Sequence, residues 1–424
     1  MIYCSIIIQI KISLLRKSVL IHIMLVLVST SWRRVDYSPV SWKQYYAEYR
    51  DVDTDNGTFR VYMTPPPRDP GHPVIFTLHG GGYSGLTWSL FTEEITRMVD
   101  CQVVSMDVRG HGETAAKNPD DLSLETLVRD VELVIFELFR GDIPRLILAG
   151  HSMGGATAVR VAQLPSLIQF IDGLTVIDIV EGTAMEALAS MQSFLRGRPT
   201  HFRSIEHAIE WCVRSGQVRN VKSAKVSMPS QIINCETGAP ATRELDSYKP
   251  LAASEPGPTR HPALPDRIAE EDEDGAGPSA ADRPAARPPA DGDAWRIDLS
   301  RTEHHWLGWF RSLSTDFLAV KAPKLLLLAS IDGLDRELMV GQMQGKFQLQ
   351  VLTRCGHAVH EDLPHEVSQC RMSITLVQKF LADGTDVGTK LYPIKNIPNV
   401  KPSCQYNRLL NTMGYPIRGF SVGA

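Results

Sequence analysis

Short apolar runs recur along the chain and alternate with segments that have a helical period. Runs of four or five successive apolar residues are typical of strands that are covered on both faces of a parallel sheet. Between two of them, apolar residues such as Leu127, Val131 and Leu138 form one stripe of a helix, with Ser123 as its predicted N-cap. The predicted strands are Thr58–Met63 (an edge strand), Val74–Leu78, Val103–Asp107, Leu146–Ala149, Leu174–Asp178, Leu325–Ala329 and Gln348–Leu352. This alternation predicts an α/β fold with a mostly parallel central sheet and helices on both faces.

Two internal segments interrupt the alternation. Residues 182–235 contain helical patterns that follow a predicted strand, and we expect them to form a helical cap over the site. Residues 236–294 are rich in Pro, Ala, Gly and charge, including the run EEDEDGAG, and they hold too little apolar surface to fold, so we predict a disordered insertion. The core domain is then 37–384, preceded by an atypical apolar segment (1–36) and followed by an irregular tail (385–424).

The N-terminal segment carries an uncharged run from Ser18 to Ser31. This run is shorter than the ~20 residues that span a bilayer. It resembles the apolar region of a signal peptide, but Val28, Ser29 and Thr30 make a poor cleavage site. We therefore expect no stable membrane association and a cytoplasmic location, with the nucleus as a second compartment and secretion as the lesser alternative.

Composition narrows the function classes. The chain has 424 residues, of which 43% are hydrophobic and 22% charged, so it can bury a large core. The net charge of −4 argues against nucleic acid as a partner, because nucleic-acid binders carry a basic face. Seven scattered cysteines form no disulfide framework, and neither C-x-x-C nor H-E-x-x-H occurs, so the sequence offers no candidate zinc ligands. We expect neither a metal nor an organic cofactor.

The stretch LILAGHSMGGATAVRVAQ, which begins at Leu146, carries the first chemical signal. One interpretation is a buried strand and a glycine turn, with Ser152 as the cap of the next helix. The other is a nucleophile elbow, in which a G-x-S-x-G turn between strand and helix exposes the serine hydroxyl above the sheet. Such a turn needs residues without side chains two positions before and after the serine, and Gly150 and Gly154 occupy them. We predict that Ser152 is a nucleophile.

A glycine-rich loop, LHGGGYSG, follows the strand that ends at Leu78. It lacks the Gly-Lys-Ser/Thr of a phosphate-binding loop and does not form a G-x-G-x-x-G turn that opens a helix. The H-G-G-G run instead matches the oxyanion-hole loop of lipases and esterases. The backbone N–H of Gly81 or Gly82 is the predicted donor from this loop, and that of Met153, which follows the serine, is the second.

The base and the acid must follow the serine in the chain. His357 lies in RCGHAVHED, directly after the last predicted strand, which is the place that the order serine, acid, histidine requires. Asp178, Asp332 and Asp335 all follow predicted strands and precede His357, and spacing alone leaves the choice among them open. The acid would hold the imidazole in one tautomer and stabilise its charged form.

Several segments together resemble the protein phosphatase methylesterase family. They include HGGGYSGLTWSLFTEEI, GHSMGGA, IDIVEGTAMEALASMQSFLRGRP, TEHHWLGWFRSLS and GQMQGKFQLQVLTRCGHAVHED, and the likeness runs from about Tyr37 to Phe380. The resemblance implies an α/β-hydrolase fold with Ser152, Asp178 and His357 as the triad, and it therefore favours Asp178 as the acid. The Pro/Ala/Arg-rich part of the insertion, the apolar N-terminus and the tail do not match the family pattern.

The resemblance also implies a substrate, the methyl ester on the C-terminal leucine of the phosphatase 2A catalytic subunit, which would be the partner. The alternatives are a broad small-molecule esterase or lipase, and a phosphatase-binding scaffold whose active site is dispensable. Trp306 and Trp309 fall on one helical stripe with Phe317; such a stripe is usually core, but it could also wall the substrate groove. The charged turn from Asp107 to Gly112 is expected to brace a loop.

Overall fold

The central sheet decides where every candidate residue lies. The computed structural model describes residues 35–245, 292–331 and 334–370. The main sheet contains β1 (Glu48–Thr54), β2 (Gly57–Met63), β3 (Val74–Leu78), β4 (Gln102–Met106), β5 (Ala115–Ala116), β6 (Leu146–His151), β7 (Ile171–Ile177), β11 (Lys324–Leu328) and β12 (Gln348–Val351), and a small sheet contains β8 (His201–Phe202), β9 (Ile232–Asn234) and β10 (Asp293–Trp295). The order in the main sheet is β1-β2-β4-β3-β6-β7-β11-β12, with β5 beside β2. Six neighbouring strands are parallel, namely β4, β3, β6, β7, β11 and β12. The strands β1, β2 and β5 pair antiparallel.

Helices cover both faces of the parallel strands. The helices are α1 (Ser89–Met98), α2 (Leu124–Phe139), α3 (Met153–Val161), α4 (Glu181–Arg196), α5 (Ile205–Arg214), α6 (Val221–Ser227), α7 (Glu303–Phe310), α8 (Leu313–Ala319), α9 (Arg336–Met343) and α10 (Val359–Asp362), and residues 364–370 are also helical. Within the described residues, none of the helices has the length and hydropathy needed to cross a membrane.

Successive residues of each central strand enter different cores, because side chains alternate across a strand. Phe76 and Leu148 pack with α2, α3, α7 and α8 on one face. Ile75 and Ile147, one residue away in each strand, pack with α1 and α10 on the other face. Both faces are apolar, which explains why these strands occur as continuous apolar runs in the sequence.

The predicted α/β architecture is confirmed, with small shifts in the strand bounds. β1 was not predicted, because its residues are mostly exposed and charged, and it takes the edge position that was expected for β2. The stripe with Trp306 and Trp309 is divided between two helices, α7 and α8, because Ser312 adopts a left-handed conformation with φ of 63°.

Parts of the predicted insertion are structured. Residues 236–245 include a 3₁₀ helix (Ala241–Glu244), and β10 begins at Asp293, within the range 236–294 that was predicted to be disordered. The hydroxyl of Thr242 and the guanidinium of Arg243 both contact the buried carboxylate of Glu113, which explains the order of this turn. Residues 246–291, the N-terminal run to residue 34 and the tail 385–424 lie outside the described residues.

Candidate active site

Ser152 occupies a sharp turn between β6 and α3. Its φ is 52° and its ψ is −122°, a conformation that residues other than glycine rarely adopt. A Cβ atom on Gly150 would collide with the carbonyl oxygen of Gly154, and one on Gly154 would collide with that of Leu78. The serine side chain makes no capping hydrogen bond to α3, although it stands at the N-cap position. The geometry is that of a nucleophile elbow rather than of an ordinary cap.

Asp178 follows the neighbouring strand and holds His357. Its Oδ2 accepts a hydrogen bond of 2.8 Å from Nδ1 of His357, and its Oδ1 accepts one of 2.8 Å from the backbone N–H of Ala329. Because Nδ1 donates to the carboxylate, a neutral His357 carries its lone pair on Nε2. This is the tautomer that a general base for a serine requires.

The topology brings the three residues to one edge. β6 and β7 are adjacent and parallel, and the last residues in register are His151 and Ile177, so Ser152 and Asp178 leave the sheet side by side. β12, whose following loop carries His357, ends at the same edge as β7 and β11. Among the hydrogen bonds of the described residues, none joins Ser152 to His357. Such bonds are often long before substrate binds.

The other predicted acids have different surroundings. Asp335 is the N-cap of α9, where its Oδ1 accepts a 2.9 Å hydrogen bond from the N–H of Leu338. Its other oxygen accepts from the hydroxyl of Ser314. Asp332 lies outside the described residues. Of Asp178 and Asp335, only Asp178 is bonded to His357 in the described part of the chain.

His151 links the elbow to the loop that carries His357. Its Nε2 lies 2.9 Å from the carbonyl oxygen of His357, and since a carbonyl only accepts, the ring donates. Burial lowers the pKa of His151 well below its usual value, so the ring is neutral and keeps that proton on Nε2. His151 had no predicted role. Its position immediately before the serine was the available signal.

The glycine loop contains one N–H that is already engaged. Gly82 donates its N–H to Nε2 of His111 at 2.8 Å, while Nδ1 of His111 donates to the carbonyl of Arg109 at 2.8 Å. Burial lowers the pKa of His111 to about 4, so the ring remains an acceptor at neutral pH. Among the described hydrogen bonds, none uses the N–H of Gly81 or of Met153. Of the two glycines predicted as oxyanion donors, Gly81 is therefore the one with an uncommitted N–H.

The charged turn after β4 holds this loop in place. Asp107 accepts hydrogen bonds from the N–H of Gly85 at 2.7 Å and of Glu113 at 2.9 Å, and burial raises the pKa of Asp107 to about 7. Arg109 forms a buried ion pair of 2.8 Å with Asp130 on α2. These contacts fix the turn against the sheet and against α2, as a bracing role requires.

Trp306 and Trp309 are buried, and Trp309 lies against the glycine loop. They are 1% and 3% exposed, and the Nε1 atom of Trp309 donates a 2.6 Å hydrogen bond to the carbonyl of Leu122. A Cβ on Gly81 would lie 3.8 Å from the ring of Trp309, so this ring packs against the loop. The structure gives both residues a packing role, and a direct contact with substrate stays a prediction.

Comparison with known proteins identifies the family. The model of the Alpha/beta hydrolase family matches residues 74–369. Protein phosphatase methylesterase 1 of Homo sapiens is 46% identical over 353 residues, which cover 82% of this chain and 87% of the human protein. Probable protein phosphatase methylesterase 1 of Caenorhabditis elegans is 38% identical over 340 residues, which cover 80% of this chain and 78% of the nematode protein.

Solved structures support the fold. E-2-(acetamidomethylene)succinate hydrolase superposes with a TM-score of 0.52 at 15% identity, over 79% of this chain and 99% of that chain. An esterase of M. tuberculosis superposes with a TM-score of 0.51 at 17% identity, over 77% of this chain and 91% of that chain. The two methylesterases are 46% and 38% identical to this chain over 82% and 80% of its length, far above the identity of the solved structures. The chain therefore belongs to the protein phosphatase methylesterase family of α/β hydrolases.

Proposed function

We propose that this chain is a serine carboxylesterase that removes the methyl ester from the C-terminal leucine of the phosphatase 2A catalytic subunit and releases methanol. The observation that carries the chemistry is the 2.8 Å bond between Asp178 and His357, formed beside the turn that exposes Ser152. The names of the 46% and 38% identical relatives point to a phosphatase methyl ester as the substrate.

Acylation begins at the leucyl ester carbonyl. His357 takes the proton of the Ser152 hydroxyl through Nε2, and the serine oxygen forms a bond to the carbonyl carbon. The negative charge that develops on the carbonyl oxygen is stabilised by the N–H groups of Gly81 and Met153, which are free of other partners among the described residues. The bond from carbon to methoxy oxygen then breaks, and methanol leaves with the proton from His357.

Deacylation repeats the same steps with water. His357 removes a proton from a water molecule, which attacks the acyl carbon, and Ser152 leaves with that proton restored. The product is the free leucine carboxylate. Asp178 stays ionised throughout and stabilises the charged imidazole that forms in each half of the reaction.

The body of the phosphatase would supply the selectivity. One leucine side chain allows discrimination of only ~1–3 kcal/mol per methylene, too little to select one protein among all cellular esters. We place the activity in the core domain (37–384) and the docking surface on the predicted cap (182–235), around α4 and α5. Intact methylated phosphatase should therefore be hydrolysed with a higher kcat/KM than a methylated peptide of the same C-terminal sequence.

The test is demethylation by purified protein. Wild type should release methanol from carboxymethylated phosphatase 2A and react with a fluorophosphonate probe, whereas Ser152→Ala should lose on the order of 10⁶ in turnover, as in comparable triads. Ser123→Ala, at the N-cap of α2, is the matched control and should keep both activities. Labelling that persists in Ser152→Ala, or an intact methyl mark after incubation with wild type, would refute the proposal.

A further inference from the structure

The guanidinium group of Arg198 lies against three aromatic side chains. The Cζ atom of Arg198, just after α4, is 3.4 Å from the ring centroid of Trp295 and 5.9 Å from those of Phe194 and Trp211. At the shorter distance the guanidinium stacks face-on upon the indole. A stacked guanidinium keeps its N–H groups at the edge, where they can bind a planar oxyanion.

The described part of the chain gives Arg198 no counter-ion. Its one hydrogen bond there runs from Nη2 to Oε1 of Gln217 at 3.4 Å, and its buried Nε–H has no acceptor. Burial lowers the pKa of Arg198 to about 10. The neighbours that oppose this shift are Tyr83 and Cys212, whose own pKa values burial raises, so both are neutral at pH 7. A positive charge is therefore partly desolvated without a counter-ion, which is costly unless an anion joins it.

Arg198 faces the glycine loop of the candidate active site. A Cβ on Gly82 would lie 3.8 Å from Nη1 of Arg198, and a Cβ on Gly80 would lie 3.2 Å from Cβ of Ser152. The two contacts, two Cα–Cα steps of about 3.80 Å and the two Cα–Cβ bonds together place the guanidinium at most about 18 Å from the Cβ atom of Ser152. An extended peptide advances ~3.3 Å per residue, so this upper bound corresponds to about five residues before the ester.

We propose that Arg198 binds a carboxylate side chain of the substrate polypeptide, on an Asp or Glu among the five residues that precede the methylated terminus. This inference rests on the proposed function, because it assumes that the ester belongs to a polypeptide. The single charge of the guanidinium matches that of a carboxylate, and its fork of N–H groups can make two parallel hydrogen bonds. The stack on Trp295 already orients the fork, so little conformational freedom is lost on binding.

The test uses peptide methyl esters that differ in one charge. A host peptide of neutral polar residues ends in leucine methyl ester, and Asp or Asn is placed at each of the five preceding positions. Wild type should hydrolyse the Asp peptide with a kcat/KM at least tenfold above the Asn peptide at one position, mainly through KM. Arg198→Met keeps the apolar stem on Trp295, and it should remove the preference, so that the Asp and Asn peptides are hydrolysed with the same kcat/KM. Arg198→Lys should keep part of it.

The outcomes separate recognition from packing. Equal kcat/KM for Asp and Asn at all five positions, or a preference that survives in Arg198→Met, would overturn the inference. A packing role alone would lower the melting temperature and affect Asn and Asp peptides alike. If no peptide ester is hydrolysed, the proposed function is in question, but binding still decides the role of Arg198. In that case, Ser152→Ala should bind Asp peptides more tightly than Asn peptides, and Ser152→Ala/Arg198→Met should not. The absence of that difference would refute the inference.

Discussion

Replacing Asp178 with Asn tests whether Asp178 is the acid of the triad. The expected result depends on the hydrogen bond that Oδ1 of Asp178 accepts, which the sequence alone does not show. In the structure, Oδ1 of Asp178 accepts from the N–H of Ala329 and Oδ2 accepts from Nδ1 of His357, each at 2.8 Å. In Asp178→Asn the amide oxygen should remain on Ala329, because the alternative places two donors against each other. The amide NH₂ then faces His357 Nδ1, which must become an acceptor.

The consequence for the reaction is large. With its proton moved to Nε2, His357 can no longer take the proton of Ser152, and turnover should fall by about 10⁴ at neutral pH, as tautomer errors do in comparable triads. KM should change little, because in the proposed mechanism the carboxylate touches His357 and not the substrate. Initial rates on p-nitrophenyl acetate and on methylated phosphatase would measure both quantities.

Asp335→Asn is the matched control. Asp335 also follows a strand, but its oxygen caps α9, and Asn is as good an N-cap as Asp. This variant should keep its turnover and its melting temperature. A comparable loss of turnover in both variants, or an Asp178→Asn enzyme within about tenfold of wild type, would show that the tautomer reasoning is wrong.

Two further predictions concern buried groups around the site. Burial raises the pKa of Glu361 to about 8 from 4.5, so the native state holds a proton that the unfolded state releases above pH 4.5, and stability should fall as the pH rises toward 8. Glu361→Gln should flatten this dependence, and melting curves from pH 5 to pH 8.5 should show the variant gaining over wild type as the pH rises; parallel curves would contradict the assignment. His151→Leu should lower kcat by about five- to tenfold, because a buried hydrogen bond to the loop of His357 contributes about 1 kcal/mol. His151→Gln, which keeps a donor, should restore most of the rate, and equal losses in the two variants would leave packing as the role of His151.

The strands that the sequence predicts well are those that are buried on both faces of the sheet. β3 was predicted with its observed bounds because all five of its residues are apolar or small and buried on both faces. β1 was missed because its residues are mostly exposed, so its pattern gives no periodic signal. The small sheet was missed as well, since β8, β9 and β10 are two or three residues long and come from distant parts of the chain.

The sequence motifs of the candidate site could be predicted, but the hydrogen bonds between its residues could not. Gly150 and Gly154 mark the elbow, because the turn excludes side chains at both places. Spacing could not separate Asp178 from Asp335, since the choice depends on which carboxylate the fold brings to His357 and which one caps a helix. The hydrogen bond from the N–H of Gly82 to His111 joins two separate loops, and no local sequence pattern predicts it.

The two strands that flank the insertion have a practical consequence. β9 and β10 pair antiparallel, and the N–H of Cys235 donates to the carbonyl of Gly292 at 2.9 Å, so the two chain segments that flank the insertion are held together by hydrogen bonds. Doubling the length of a loop whose ends are held together in this way costs only ≈ 0.6 kcal/mol. The point beyond Leu245 is therefore a natural place to graft a reporter domain or an affinity tag without moving the residues of the site.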